Sequence, residues 1–115
     1  MRKLHFYTTK SGSSPVEDYL NSLSDKHAKK VAWVLRLVRD LDFITKTYFK
    51  KLINTNDIWE VRIKSGSSSF RILCFFYKGN IIILTNGFAK KTQKTKIKEI
   101  KLSERRKKEY LERRK

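Results

Sequence analysis

Two stretches, IWEVRIK at 58–64 and FRILCFFY at 70–77, restrict the fold more than any other feature of the chain. Both are rich in β-branched and aromatic residues. The first alternates apolar and polar positions, the second is almost wholly apolar, and only SGSSS separates them, so they read as a β-hairpin. A third run, NIIILTNGF at 80–88, follows the turn Lys78-Gly79-Asn80 and extends the hairpin to a meander. Upstream of Tyr48 the period is helical. Ser14-Pro15-Val16-Glu17 reads as a capping box with proline at the first helical position, opening a helix through Tyr19, Leu20 and Leu23. Ser24 can cap a second helix, in which Val31, Val34, Leu35, Val38 and Leu41 recur at helical spacing. Lys3 to Tyr7 form a short strand candidate ahead of this helical hairpin. The segment after Phe88 is rich in helix formers but has few apolar residues beyond Ile97, Ile100, Leu102, Tyr110 and Leu111, which predicts a weakly docked helix. The expected class is α+β: an N-terminal strand and helical hairpin packed on a small antiparallel sheet, with a basic C-terminal helix. A chain of 115 residues is expected to form one domain, 1–115.

Alternation along the hairpin sorts its side chains. Trp59, Val61 and Ile63 share one face with Phe70, Ile72, Cys74 and Phe76, and this face is the predicted core. Glu60, Arg62, Arg71, Leu73 and Phe75 then share the other. The simplest register pairs Val61 with Ile72 and sets Arg62 directly across from Arg71, a like-charge contact that is unfavourable unless an anion bridges it. Glu60 is one candidate anion and a phosphate is another. The face is therefore either a salt-bridged ladder in solvent or a surface whose two guanidinium forks suit a phosphodiester.

Charge favours a polyanionic partner. The chain has 28 Lys and Arg against 11 Asp and Glu, a formal charge of +17, and residues 89–115 alone hold 13 against 4. Such a surface attracts nucleic acid and loses that attraction with salt. Glu104–Lys108 and Glu109–Arg113 are spaced as i,i+4 ion pairs on the last helix, without cancelling its excess. The longest apolar run, Ile72 to Tyr77, is far below the roughly 18 to 20 residues of a membrane span, and MRKLHFYTTK lacks the apolar centre of a signal peptide, so a cytoplasmic protein with no membrane association is expected. One cysteine, Cys74, allows no internal disulfide. The two histidines, His5 and His27, have no zinc spacing and are expected to be structural or solvated, so neither a metal nor another cofactor is expected.

Three strings, Ile58-Trp59-Glu60-Val61-Arg62-Ile63, Phe70-Arg71-Ile72-Leu73 after a Gly/Ser turn, and Asn86-Gly87-Phe88 leading into Ala89-Lys90-Lys91-Thr92-Gln93-Lys94-Thr95, resemble the RelE/ParE toxin superfamily, and more closely its HigB-like, phage-type branch. The likeness spans nearly the whole chain, including the basic last helix with Glu-Arg-Arg-Lys-Lys-Glu-Tyr at 104–110. It implies a RelE-like fold and the toxin of a type II toxin–antitoxin pair, an endoribonuclease that usually cuts messenger RNA on the translating ribosome. It also implies a helix-turn-helix, HigA-like antitoxin from the adjacent gene, and operator DNA bound through that antitoxin. Carried over, Arg71 is similar to the arginine that contacts the scissile phosphate, Arg62 to a basic residue of the preceding strand, and Lys90 and Lys91 to basic residues after the last strand. Glu60 stands where RelE proper has lysine. The tyrosine that some relatives stack on a base is missing after the last strand, with Phe88 or Tyr48 as substitutes, and Lys96 replaces a proline that often opens the last helix. Lys50, Lys51, Lys64, Lys94, Lys107 and Lys108 are the further expected RNA contacts. Two alternatives share these features: a ParE-like gyrase inhibitor and a nucleic-acid-binding protein without catalysis.

Cutting RNA requires a base for the 2′-hydroxyl, cations for the phosphorane and an acid for the departing 5′-oxygen. With no suitably placed histidine, Glu60 or a lysine of depressed pKa is left as base, Arg62 and Arg71 as stabilisers, and Lys90 or Lys91 as acid.

Overall fold

The computed structural model describes residues 1–91 and 95–115. In chain order the elements are β1 (Lys3–Phe6), α1 (Pro15–Asn21), α2 (Asp25–Asp40), β2 (Phe49–Lys51), β3 (Trp59–Ser65), β4 (Ser68–Tyr77), β5 (Ile81–Ala89) and α3 (Ile97–Arg113). The strands form one sheet in the order β1-β5-β4-β3-β2. The meander β3-β4-β5 is antiparallel, with Val61 paired to Ile72 and Arg62 to Arg71 as the alternation predicts. The sheet as a whole is mixed rather than antiparallel, because β1 runs parallel to β5 with Lys3 opposite Ile81 and Phe6 opposite Leu84. This pairing closes the edge of β5, whose amides and carbonyls would otherwise lack partners, and no local pattern specifies it. β2, absent from the sequence reading, is three residues long and pairs only with Trp59–Val61.

The predicted core face is correct: Val61, Ile63, Phe70, Ile72 and Cys74 pack with Val16 of α1 and with Val31, Val34 and Val38 of α2. Ser24 caps α2 by accepting the amide of His27. The capping box expected on α1 does not form. The hydroxyl of Ser14 is buried and makes no hydrogen bond among the described residues. Pro15 at the first helical position has already removed one amide donor, and the carbonyl of Ser14 accepts from Asp18 at 2.9 Å.

The opposite face carries a second core, which the sequence reading underestimated. Leu73, Phe75, Ile83 and Phe88 are buried there with Tyr7 and with Tyr110 of α3. Helix α3 is firmly docked despite its few apolar residues, because polar groups do much of the anchoring. Ser103 Oγ lies 2.7 Å from Thr85 Oγ1, Arg106 donates to the carbonyl of Thr85 at 2.8 Å, Asn86 donates to Glu99 Oε1 at 3.0 Å, and Tyr7 donates to Glu109 at 2.7 Å. Each replaces a water contact with an internal one, so neither strand nor helix leaves these buried polar groups without partners. Of the expected helix pairs, Glu109–Arg113 forms at 2.7 Å, whereas Glu104 accepts the backbone amide of Asn56 at 2.9 Å. Among the described residues no helix is long and apolar enough to cross a membrane.

A bulge in β5 determines which face each of its last residues presents. Leu73 pairs with Asn86 but Cys74 with Leu84, so Thr85 is an extra residue and the alternation of β5 inverts beyond it. Before the bulge Ile82 and Leu84 face the α1–α2 core, and after it Phe88 faces the α3 side. Gly87 falls on the α1 side, where a Cβ would stand 2.6 Å from Cδ2 of Tyr19, too close for any other residue without displacing that ring. By the same alternation Lys90 comes to the face that carries Arg71.

Candidate functional site

The pairing of β3 with β4 places Arg62 and Arg71 side by side, and Glu60 stands two residues before Arg62 on the same face. Its Oε1 lies 3.6 Å from Nε of Arg62 and 3.6 Å from Nε of Arg71, so one carboxylate oxygen bridges both guanidinium groups. Its other oxygen accepts the hydroxyl of Thr95, on the approach to α3. Glu60 is only 2% exposed and Arg71 8%. Arg71 Nη1 donates to the carbonyl of Phe70 at 2.9 Å, but its Nε is buried without a hydrogen bond among the described residues. The contacts combine the two sequence readings. A Glu60 bridge exists, yet it neutralises one charge where several cations meet.

The electrostatics reflect that excess. Burial pushes the guanidinium of Arg71 below its ordinary pKa, with Glu60 opposing and Arg62 reinforcing the shift. Lys90, half-buried where β5 ends, is lowered first by burial and then by Arg71, with Arg62 and Lys50 adding to the effect against Glu60. Crowded cations disfavour one another's charged forms, and an incoming anion would relieve all of them together. A cavity of about 420 Å³ opens against Arg62 and Arg71.

The other expected residues divide. Lys50 lies across from Glu60 on β2, and Lys64 lines the cavity. Lys91 is exposed just beyond β5. Lys51 is ion-paired with Asp57 at 2.9 Å. Phe88 pairs with Arg71, but its ring is buried with Leu73 and Tyr110, so it does not present a face for a base; Tyr48 borders the cavity instead. Lys107 donates to the carbonyl of Asn56 at 2.7 Å and lies over the ring of Phe75, which makes it a tether between α3 and the loop before β3. Lys108 lines a separate groove on α3 that shares no residue with the cavity. Lys94 lies outside the described residues. His27 contacts Ser65 Oγ at 2.9 Å and packs on Phe70, and His5 is exposed on β1, so neither adjoins the arginine pair. Sequence reasoning missed Thr95 as a partner of Glu60 and Lys30 and Ser69 as walls of the cavity, because these contacts join residues from distant parts of the chain and no local pattern signals them.

No curated protein matches the chain. Residues 18–108 match the family described as Phage derived protein Gp49-like (DUF891), and the chain belongs to that family, a RelE/HigB-like group associated with toxins of toxin–antitoxin pairs.

Proposed function

We propose that this protein is the HigB-like toxin of a type II pair and acts as an endoribonuclease on messenger RNA in the translating ribosome. The observation that carries the reading is the buried Arg71, whose Nε has no hydrogen bond among the described residues, facing Arg62 across one shared carboxylate. Two guanidinium groups so placed match the charge that develops on a phosphodiester under attack. In this reading the 2′-oxygen attacks phosphorus and gives its proton to the neutral amine of Lys90. Arg62 and Arg71 stabilise the phosphorane. The bond to the 5′-oxygen breaks, and the ammonium of Lys91 protonates that oxygen, leaving a 2′,3′-cyclic phosphate and a 5′-hydroxyl. No metal ion takes part. Glu60, buried beneath the arginines, orients them rather than exchanging protons with RNA. The ribosome supplies the orientation of the substrate that a shallow site cannot.

Lys90 gives the reading a pH signature. Its folded pKa lies below the ordinary lysine value, so the amine becomes available as pH rises, and cleavage should increase with pH up to that folded pKa. Lys90→Arg should be slow and lose this rise, because a guanidinium keeps its proton. The stability effect has the opposite sense to that of a structural lysine. The charged form is disfavoured by folding, so the penalty is fully present below the folded pKa and disappears as pH rises toward the unfolded value. Lys90→Met should therefore melt no lower than wild type at neutral pH while losing activity. A pH–rate profile and thermal unfolding on the same proteins check both.

Expression of the protein alone should arrest growth of host cells. Co-expression with a helix-turn-helix antitoxin from the adjacent gene should restore growth, and the complex should bind operon DNA through the antitoxin. Normal growth in cells that accumulate the folded protein would overturn the toxin reading. Growth arrest with intact messenger RNA and inhibited gyrase would replace it by the ParE-like alternative.

A further inference from the structure

Glu60 balances the arginine pair without a hydrogen bond to either member. Its Oε1 stands 3.6 Å from Nε of Arg62 and 3.6 Å from Nε of Arg71. A charge-assisted N–H···O contact is shorter, about 2.7–2.9 Å. Nε of Arg71 is buried and has no hydrogen bond among the described residues. Both guanidinium groups donate to carbonyls instead, Arg71 Nη1 to Phe70 at 2.9 Å and Arg62 Nη1 to Lys46 at 3.2 Å. A carboxylate this near a guanidinium fork gains most by closing on it with two parallel N–H···O bonds, and a movement of less than about 1 Å would suffice.

The second oxygen of Glu60 prevents that closure. Oε2 accepts the hydroxyl of Thr95, and a bidentate pair needs both oxygens. Thr95 itself is held in place from the other side of the sheet. It directly precedes Lys96, the N-cap of α3, and the first turn of that helix is pinned to β5 by Asn86, whose Nδ2 donates to the carbonyl of Glu99 at 3.2 Å and to its Oε1 at 3.0 Å. Ser103 and Arg106 fasten the following turns to Thr85. The docking of α3 therefore sets the position of the Thr95 hydroxyl, and the hydroxyl sets the carboxylate between the two arginines.

We infer that Thr95 is a positioning residue of the arginine site: it retains one oxygen of Glu60, so that the carboxylate balances Arg62 and Arg71 without occupying the N–H groups that a phosphodiester takes. The inference rests on the reading that this pair holds the scissile phosphate, and it adds the group that keeps the pair available. Without the hydroxyl, Glu60 turns both oxygens to Arg71 and competes with RNA for the same donors.

The test combines thermal unfolding, anisotropy of a fluorescent 2′-fluoro tetraribonucleotide that cannot be cut, and cleavage of messenger RNA on ribosomes. Thr95→Val keeps the shape of the side chain and removes its hydroxyl. It should melt close to wild type, because Glu60 exchanges one partner for another, yet bind the tetranucleotide about tenfold more weakly, the effect of having to displace a charge-assisted contact. Inorganic phosphate should raise its melting temperature less than that of wild type. In cleavage KM should rise more than kcat falls, and Thr95→Ser should recover most of the loss. In a Glu60→Gln background, where no carboxylate competes, adding Thr95→Val should leave tetranucleotide affinity unchanged. A folded Thr95→Val protein with wild-type affinity, KM and phosphate response would overturn the inference, whether or not its melting temperature falls and even if wild type cuts RNA. An equal loss of affinity in the Glu60→Gln background would overturn it as well, by making Thr95 a direct RNA contact. The expected pattern in a protein that cuts nothing would uphold the role of Thr95 and overturn the cleavage reading instead.

Discussion

Arg71→Ala is expected to lower the rate of messenger RNA cleavage by roughly a hundredfold or more, the loss caused by removing one preorganised donor from a transition-state site. The substitution will also affect the fold. From alternation alone Arg71 lies off the core face, and its removal should cost little stability. The structure buries it to 8% exposure against Glu60, so truncation removes one partner of a buried carboxylate. Arg62 and Thr95 remain on Glu60, which limits the expected cost to about 1–3 kcal/mol. Arg71→Lys separates the two effects. It restores a positive charge beside the Glu60 carboxylate, but an ammonium cannot form two parallel N–H···O contacts with a phosphate, so stability should recover further than activity. Primer extension and thermal unfolding on both variants measure the difference. A folded Arg71→Ala protein that cuts messenger RNA at the wild-type rate would remove Arg71 from the site.

Glu60→Ala should be the most destabilising single change at this site. It deletes the shared counter-ion and leaves Arg62 directly across from a buried Arg71, with Lys90 nearby. Loss of one member of a buried ionic group costs about 3–5 kcal/mol, because the remaining charges are left without compensation. The exposed pairs Arg39–Asp40 and Lys51–Asp57 should be far less sensitive to loss of one partner. A further expectation distinguishes a phosphate site from a structural ladder. In Glu60→Ala the bridging position is open to another anion, so inorganic phosphate should raise the melting temperature of this variant more than that of wild type. Equal responses to phosphate, or a variant as stable as wild type, would show that the arginines do not share Glu60 as an essential counter-ion.

Local pattern was sufficient for a large part of this molecule. The hairpin register, with Val61 on Ile72 and Arg62 on Arg71, was legible from alternation, because a slip by one residue would turn every core side chain toward the wrong face. Helix α2 was likewise legible from apolar spacing and its cap from Ser24, and α3 from its helix formers, though not how firmly it docks. What escaped was everything that depends on partners distant in the chain. The parallel pairing of β1 with β5, the second core beneath α3 and the Thr95 contact to Glu60 join segments whose local composition carries no sign of one another. The clearest case is the bulge at Thr85. A regular β5 would send Lys90 to the α1–α2 side with Ile82 and Leu84, whereas one extra residue inverts the alternation and brings Lys90 to the face that carries Arg62, Arg71 and Glu60. The chain by itself determined which residues carry the charge and on which face of the hairpin they stand, because strand periodicity is a local property. Whether that charge is solvated or buried, and which lysine joins it, was decided only by tertiary packing, because burial and bulge position depend on how α3 and β4 meet β5.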